Sequence, residues 1–318
     1  MKSPPNGSRP AFTILRSLLT LAFIGLGVAY VLTQQADFRA LELPSTIAVL
    51  VVAAGYVASV FFRSLYNVFT ARRLGTPLPI LESFMLSAVV TASNSILPVN
   101  AGAAFRAYYM KKVHAFPLGY FASVTIVSFV ITGLLMSLIA MILLVLIFLD
   151  LGYFRLDLFI VLPVITVTAS AGLLLRGEKS RPEHDNADSL WGSFRSGYLS
   201  LVRDKRLVYV SLLIVTLNFV VASSVWVVAL RDYAPEIAMS EALLLAASQI
   251  VSGLITLTPG AAGFQELVGL YVGASFQVTT VQLFAVLVWV RLVRLIASLL
   301  LAGPCAIALH RSNKLSDL

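Results

Sequence analysis

The sequence predicts an all-α polytopic membrane protein with six crossing helices and two Pro/Gly-broken re-entrant segments, arranged as an inverted repeat. Three observations predict this fold: an apolar composition, long uncharged runs and an uneven distribution of basic residues. The 318 residues are 59% hydrophobic and only 12% charged, with mean hydropathy +0.92. Soluble domains are about 25% charged, so a water-soluble globule of this size would lack the polar residues to cover its surface.

Six stretches are long and apolar enough to cross a bilayer, which requires about 17–25 mainly apolar residues. They are Ser17–Thr33, Ser45–Phe62, Leu118–Leu149, Leu158–Leu175, Leu207–Leu230 and Val281–Leu301. The third is too long for a straight crossing and predicts a tilted or projecting helix. The first follows basic residues as a signal peptide would, but no small-x-small cleavage site follows it, so we interpret it as a retained anchor.

Two further uncharged runs, 83–105 and 242–265, each contain a proline followed four residues later by a glycine. Proline breaks an ordinary helix because it removes a backbone donor, and glycine allows the chain to reverse. The predicted structural breaks are Pro98, Gly102, Pro259, Gly260 and Gly263. Each run therefore reads as helix, break, helix, and it either crosses with a kink or enters and returns on one face.

The distribution of Lys and Arg distinguishes these alternatives, because basic residues concentrate in cytoplasmic loops. With a cytoplasmic N-terminus and both runs returning, 18 basic residues lie inside and 3 outside, whereas with both runs crossing the numbers are 10 and 11. The bias therefore favours two re-entrant segments. The net charge of +8 is accordingly a topology signal, and we expect no nucleic-acid binding because the chain has no basic soluble module.

In this topology the two halves have the same order of segments in opposite orientations. The chain is then one integral membrane domain, 1–318, with repeats at 11–149 and 150–303. The matching sequences Pro98-Val-Asn-Ala-Gly102 and Pro259-Gly-Ala-Ala-Gly263 support this arrangement, although one such pair can also arise by chance. The polar segment 176–206 predicts a flexible cytoplasmic linker inside the second repeat or, alternatively, a contact with anionic headgroups.

The most informative ionisable residues are those inside apolar runs. Arg291 lies at the centre of the last stretch, with Arg294 one turn later. A central arginine costs about 2.5–3.5 kcal/mol on insertion scales and rarely faces lipid. Glu266, just after the second break, is the candidate partner, and a lipid phosphate would neutralise the remaining positive charge. The alternative is a structural ion pair, with Arg294 extending to the interface.

Arg106 follows the first break and is read either as part of the same site or as a cytoplasmic anchor. The helices that restart after Gly102 and Gly263 would direct N-terminal N–H groups towards the membrane centre, where they favour anions. The remaining polar residues in apolar runs are more simply explained by helix–helix hydrogen bonds and the tryptophans by packing: Asn94, Asn218, Gln249, Gln265, Trp226 and Trp289.

The sequence gives little support for catalysis. The single cysteine, Cys305, excludes an internal disulfide, and the histidines are only three. There is no Gly-rich phosphate loop and no His-Glu-x-x-His motif, so we expect no cofactor, no metal and no catalytic residues.

Two segments resemble a known membrane family. The first is Arg72-Arg-Leu-Gly with Ser95-Ile-Leu-Pro-Val-Asn-Ala-Gly-Ala-Ala-Phe-Arg106, and the second is Leu257-Thr-Pro-Gly-Ala-Ala-Gly-Phe-Gln-Glu266, followed by Arg291 and Arg294. They resemble the membrane region of lysylphosphatidylglycerol synthetases, their flippase portion, and its stand-alone relatives. Ala103 replaces an acidic residue usual in the first motif, and Val99 and Asn100 stand where an arginine is common. The synthetase domain has no counterpart here.

The resemblance implies lipid translocation without synthetase activity, with Arg106, Glu266, Arg291 and Arg294 as substrate-binding residues. We expect partners among membrane lipids with anionic phosphate headgroups, and a bacterial plasma membrane with both termini cytoplasmic. Two alternatives stay open: a membrane scaffold for a glycosyltransferase or lipid-modifying enzyme, and an intramembrane transferase that uses Glu266 as a base. A homo-oligomer is also compatible with the sequence.

Overall fold

The computed structural model describes residues 21–22, 25–97, 101–153, 155–160, 189–254, 261, 263–276 and 278–311. Within these ranges the secondary structure is helical, with turns and short connections between the helices. The principal helices are α1 (Gln35–Ala40), α2 (Thr46–Arg73), α3 (Ile80–Ile96), α4 (Ala101–His114), α5 (Leu118–Leu151), α6 (Leu190–Arg203), α7 (Lys205–Arg231), α8 (Met239–Ser252), α9 (Phe264–Gly273) and α10 (Thr280–Arg311).

Four of these helices, α2, α5, α7 and α10, are long and apolar enough to cross a membrane. They correspond to four of the six stretches that the sequence predicts, so the chain is a multi-pass helical membrane protein. Residues 25–33 and 158–160 are helical and belong to the other two predicted stretches. The rest of those two stretches lies mostly outside the described residues.

The helix α2 differs from the predicted stretch Ser45–Phe62 because it continues to Arg73. It begins where the Ser45 side chain accepts a hydrogen bond from the Ala48 N–H, and it ends just before Gly75, which has φ +84°. No proline interrupts it, and polar Ser64, Asn67 and Thr70 are buried against neighbouring helices. Arg63 therefore lies well inside a helix and not at the end of a span.

The broken runs form two antiparallel helical hairpins. In the first hairpin, the Ala103 N–H donates to Asn94 Oδ1 (3.3 Å) near the break, and Tyr109 OH donates to Glu82 Oε1 (2.7 Å) near the base. The return of α4 along α3 follows directly from these contacts. Gly102 lies at the closest approach, since a Cβ there would be 2.2 Å from the Val90 carbonyl oxygen.

The second hairpin is held by a reciprocal pair of glutamines. Gln249 Nε2 donates to the Gln265 carbonyl (2.9 Å), and Gln265 Nε2 donates to the Gln249 carbonyl (3.3 Å). These bonds join α8 to α9 and confirm that Gln249 and Gln265, like Asn94, serve contacts between helices. Asn218 differs, because its buried Oδ1 has no hydrogen-bond partner among the described residues.

The helices α2 and α7 pack antiparallel and are tied together at both ends. At one end the Ser45 N–H donates to Asp232 Oδ2 (2.8 Å), and at the other Arg73 forms an ion pair with Asp204 (2.5 Å). The two helices approach closely between these ends at Gly55, where a Cβ would be 2.3 Å from Val225 Cγ2.

The buried core divides into two main apolar clusters at opposite ends of this helix pair. One contains the first hairpin with the C-terminal half of α2 and the N-terminal halves of α5 and α7. The other contains the second hairpin with the N-terminal half of α2 and the C-terminal halves of α5 and α7. Each hairpin therefore occupies its own end of the bundle.

The contacts between helices occur in matching pairs. Within the halves, α2–α3, α3–α4 and α4–α5 correspond to α7–α8, α8–α9 and α9–α10. Between the halves, α3–α10 corresponds to α5–α8 and α2–α10 to α5–α7, while α2 and α7 contact each other. A two-fold axis that relates the four helices from α2 to α5 to the four helices from α7 to α10 would produce these matching contacts.

The structure does not support a flexible linker throughout 176–206. Residues 190–203 form α6, which packs along the first turns of α5. Glycines allow this approach, since a Cβ at Gly119 would be 2.1 Å from Ser193 Oγ and one at Gly197 would be 2.5 Å from Ser123 Oγ. The linker interpretation is therefore wrong for this half, because small residues on both helices allow close packing; 176–188 lie outside the described residues.

Candidate functional site

The second hairpin places Glu266 on the first turn of α9, directly after its break. Gly263 precedes the helix with φ +79°, a conformation that favours glycine. Glu266 Oε2 accepts a hydrogen bond from the Gly263 N–H (2.7 Å), so the carboxylate closes the turn that begins its own helix. Pro259 and Gly260, two of the predicted breaks, lie outside the described residues, as does Pro98 in the first hairpin.

The other oxygen of the same carboxylate binds Arg291. Arg291 Nη1 donates to Glu266 Oε1, which confirms the ion pair predicted from the sequence. The two side chains are only 29% and 15% exposed, and Arg291 is in the middle third of α10. Glu266 thereby fixes Arg291 to the break of the second hairpin.

Arg294 does not share Glu266. Its guanidinium carbon lies 5.3 Å from the ring centroid of Trp226 on α7, in cation–π geometry. Trp226 is 2% exposed, so the predicted packing role is correct, and the ring also holds a cation. Such a contact contributes about 0.5–2 kcal/mol and leaves the guanidinium N–H groups available to an acceptor.

Arg106 extends from α4 towards the first half of the bundle. Its guanidinium carbon lies 5.2 Å from the ring centroid of Phe121 on α5. The side chain also lines a cavity of about 20 Å³ together with Asn67 on α2 and Ser83 on α3. This volume is enough for about one water molecule. Arg106 is thus half-buried among helices, and not only a cytoplasmic anchor.

Arg63 is a further basic residue of this region, which the sequence interpretation assigned to a cytoplasmic loop. Its Nη1 donates to Thr91 Oγ1 of the first hairpin (3.4 Å), and it lies within electrostatic range of Arg106. The sequence does contain a signal that Arg63 lies inside a longer helix: the following run, Ser64–Ala71, has no charged residue and continues the apolar stretch.

Tyr56 links Arg63 on α2 to Arg294 and Arg291 on α10 through electrostatic interactions. Its side chain is within electrostatic range of both Arg63 and Arg294, and Arg294 is in turn within range of Arg291. The Tyr56 hydroxyl is buried beside Ser298 and has no hydrogen-bond partner among the described residues. We refer to the set Arg106, Arg63, Arg294 and Arg291 as the arginine row.

The two helix N-termini differ from the sequence expectation. We expected their N–H groups to attract an external anion, but the protein supplies its own acceptors. Asn94 Oδ1 accepts from the Ala103 N–H in α4, and Glu266 Oε2 accepts from the Gly263 N–H before α9. One N–H group at each break is therefore occupied, and the charged side chains of the arginine row are further groups that favour an anion.

A separate set of contacts fastens the far end of the second hairpin. Arg155 bonds Asp157 (2.7 Å) and the Tyr271 carbonyl (3.0 Å), and Tyr271 OH donates to Asp157. The hydrogen bond from Arg155 holds the pKa of the Asp157 carboxyl well below its usual range. Tyr153 OH donates to the buried Glu241 (2.6 Å), and burial raises the pKa of Tyr153. These contacts position α8 and α9 against the end of α5.

The fold and this site define a multi-pass α-helical membrane protein with two helical hairpins and ionisable side chains buried among its helices, including an ion pair at the break of the second hairpin. The chain belongs to the family described as Lysylphosphatidylglycerol synthase TM region, whose sequence model matches residues 12–302. This match covers nearly the whole chain and confirms the resemblance found in the motifs. A search of curated proteins gave no match. Membership indicates a lipid-related function in a membrane.

Proposed function

We propose that the protein translocates a lipid, or its headgroup, between the leaflets of the plasma membrane through a polar path at the breaks of the two hairpins. The arginine row, with Glu266 bound to Arg291, is the observation that carries this proposal. Charged side chains inside a bilayer are costly and commonly mark substrate pathways. A path that needed only to be apolar would not require them.

The architecture supports movement between two faces. The hairpins occupy opposite ends of the α2–α7 pair, and their helix contacts occur in matching pairs. Transporters built from inverted repeats alternate access around a site at the junction of the repeats. In our proposal the hairpins are re-entrant from opposite faces, the repeats are 11–149 and 150–303, and both termini are cytoplasmic.

Each site residue has a distinct role in this mechanism. Arg63, Arg106 and Arg294 bind the phosphate of the headgroup as it passes the membrane centre. Arg291 does the same, held in place by Glu266. Trp226 holds the Arg294 guanidinium over its ring. The arginines replace part of the hydration that the phosphate loses on leaving water, which otherwise opposes the crossing by several kcal/mol. The process is transport, without a group-transfer step.

The test is a scrambling assay in liposomes that contain the purified protein and fluorescent anionic or zwitterionic lipids. A membrane-impermeant reductant bleaches the roughly half of the dye in the outer leaflet, and translocation carries bleaching beyond that fraction. We expect excess bleaching with the unmodified protein. Arg291→Ala and Glu266→Gln should lose it while keeping the folded elution profile.

Arg72→Ala is the matched control, because Arg72 is exposed in the last turn of α2 and outside the arginine row. It should translocate lipid like the unmodified protein. Normal translocation by both Arg291→Ala and Glu266→Gln would contradict the site assignment. No excess bleaching with any lipid class would contradict translocation and favour the scaffold alternative.

A further inference from the structure

We infer that the headgroup carried by this site bears at least two negative charges, as a phosphate monoester or a diphosphate does, and that zwitterionic headgroups are poor substrates. This inference rests on the proposed function, because it names the class of lipid that the same site would carry. It follows from the charge balance of the site.

The arginine row has too few acidic partners in the protein. Arg291 forms an ion pair with Glu266, whereas Arg63, Arg106 and Arg294 have no carboxylate within salt-bridge distance among the described residues. The side chains that contact them are neutral. Arg63 donates to a threonine hydroxyl, and Arg106 and Arg294 each lie over an aromatic ring. Three positive charges are therefore left without an acidic partner in the described part of the chain.

The sequence at the breaks does not supply the missing acids. The segments 97–102 and 254–263 contain no Asp or Glu. Glu82 and Glu241 are on the first turns of α3 and α8, at the bases of the hairpins, where each accepts a hydrogen bond from a tyrosine. Neither acid is placed beside a break. Among the described residues and the breaks, therefore, only Glu266 neutralises part of the row, and an external anion would neutralise the rest.

The arrangement of the arginines favours an anion with several charged oxygens. Arg63, Arg106 and Arg294 belong to different helices, α2, α4 and α10, and form a row with each member in electrostatic range of a neighbour or of Tyr56. Guanidinium groups bind phosphate oxygens through charge-assisted, often bidentate hydrogen bonds. A diphosphate offers more such oxygens than a single phosphodiester, and a choline or ethanolamine group would bring a cation towards the row.

The test measures binding of three farnesyl compounds that share one chain: the diphosphate, the monophosphate and the alcohol. The full-length protein is held in nanodiscs of zwitterionic lipid, and binding is followed by tryptophan fluorescence, because Arg294 stacks on Trp226. We expect the dissociation constant to rise about tenfold from diphosphate to monophosphate and again to the alcohol. Equal affinities for all three compounds would overturn the inference.

The pH dependence provides an internal check on charge. The second proton of a phosphate monoester leaves with a pKa near 6, while arginine stays protonated. Monophosphate binding should therefore tighten between pH 5 and pH 8. A flat profile for the monophosphate would contradict a preference for the dianion.

Variants test whether the arginine row is responsible. Arg63→Gln and Arg106→Gln should each reduce the preference for diphosphate over monophosphate several-fold, whereas Arg72→Gln should preserve it. Unchanged preference in both row variants would overturn the assignment of this selectivity to the row. Inorganic pyrophosphate distinguishes a lipid from a soluble anion: it should compete only weakly, and binding as tight as that of farnesyl diphosphate would contradict a lipid ligand.

The outcomes separate this inference from translocation itself. Scrambling that is independent of headgroup charge would uphold the proposed function and overturn the inference. Selective binding of farnesyl diphosphate without any lipid movement would uphold the charge preference and contradict translocation.

Discussion

At the scale of single residues, the ion pair between Glu266 and Arg291 makes a measurable contribution to stability. Replacing either partner by glutamine leaves a charge in a poorly hydrated place, which costs about 3–5 kcal/mol when the pair is fully buried. Because these side chains keep 15% and 29% of their exposure, we expect about 1–3 kcal/mol for each single variant. The buried Cys305 thiol allows the measurement, since a thiol-reactive dye reports unfolding on heating.

The double variant Glu266→Gln/Arg291→Gln is the control for this prediction. It removes both charges together, so it should be more stable than the sum of the single effects implies. Strictly additive losses would show that the two side chains do not interact. Arg72→Gln should leave the unfolding temperature unchanged, because Arg72 is exposed and outside the pair.

The sequence identified Glu266 as the partner of Arg291 because Glu266 directly follows the break of the second run. It did not identify Arg63 as a site residue, because the predicted stretch stopped at the first charge. Helix length is set by the absence of a break, not by the absence of charge, and α2 continues to Arg73. The contact of Arg294 with Trp226 joins residues far apart in the chain and could not be read from local pattern.

At the scale of helices, the first hairpin depends on close contact at Gly102. A Cβ there would lie 2.2 Å from the Val90 carbonyl oxygen and 2.7 Å from Asn94 Oδ1. Gly102→Ala must therefore separate α4 from α3, and we expect a loss of about 1–3 kcal/mol with faster trypsin cleavage after Arg106, Lys111 and Lys112 of α4. Thermal unfolding and limited trypsin digestion measure the two effects.

Gly133→Ala is the matched control within a long helix. Gly133 lies in the middle of α5, where a Cβ would meet nothing within 4 Å. Alanine has a helix propensity about 0.8–1.0 kcal/mol better than glycine, so this variant should be as stable as the unmodified protein or more so. Destabilisation of both variants to the same extent would contradict a specific role for the contact at Gly102.

Proline and glycine spacing predicted an interruption in each of the two runs because breaks are local events in the backbone, and the distribution of basic residues was needed to predict that each run returns. The helix α6 was missed for the opposite reason. The segment that contains it is polar, with mixed charge, and its packing depends on close contacts of Gly119 with Ser193 and of Gly197 with Ser123. Leu190, Phe194, Tyr198 and Leu201 of this segment do recur at helical spacing, so the sequence carried a signal for α6 that its polar composition outweighed in our interpretation. The docking of α6 on α5 joins distant residues and is visible only in the assembled fold.

At the scale of the whole molecule, the two hairpins should have their bases on opposite faces of the membrane. The bases are at opposite ends of the α2–α7 pair, and the basic residues favour the cytoplasmic side strongly when both hairpins return but not when both runs cross. In a Cys305→Ala background, single cysteines placed at exposed Lys111 and Glu236 report these two faces. We expect a membrane-impermeant maleimide to label Glu236→Cys in intact cells, and Lys111→Cys only after the membrane is opened.

The alternative, in which both broken runs cross the bilayer, predicts the reverse pattern: Lys111 would then lie outside and Glu236 inside. Glu42→Cys and Arg311→Cys calibrate the assay, because Glu42 lies outside and Arg311 inside in both topologies. Labelling of Lys111→Cys in intact cells, together with protection of Glu236→Cys, would contradict the re-entrant arrangement.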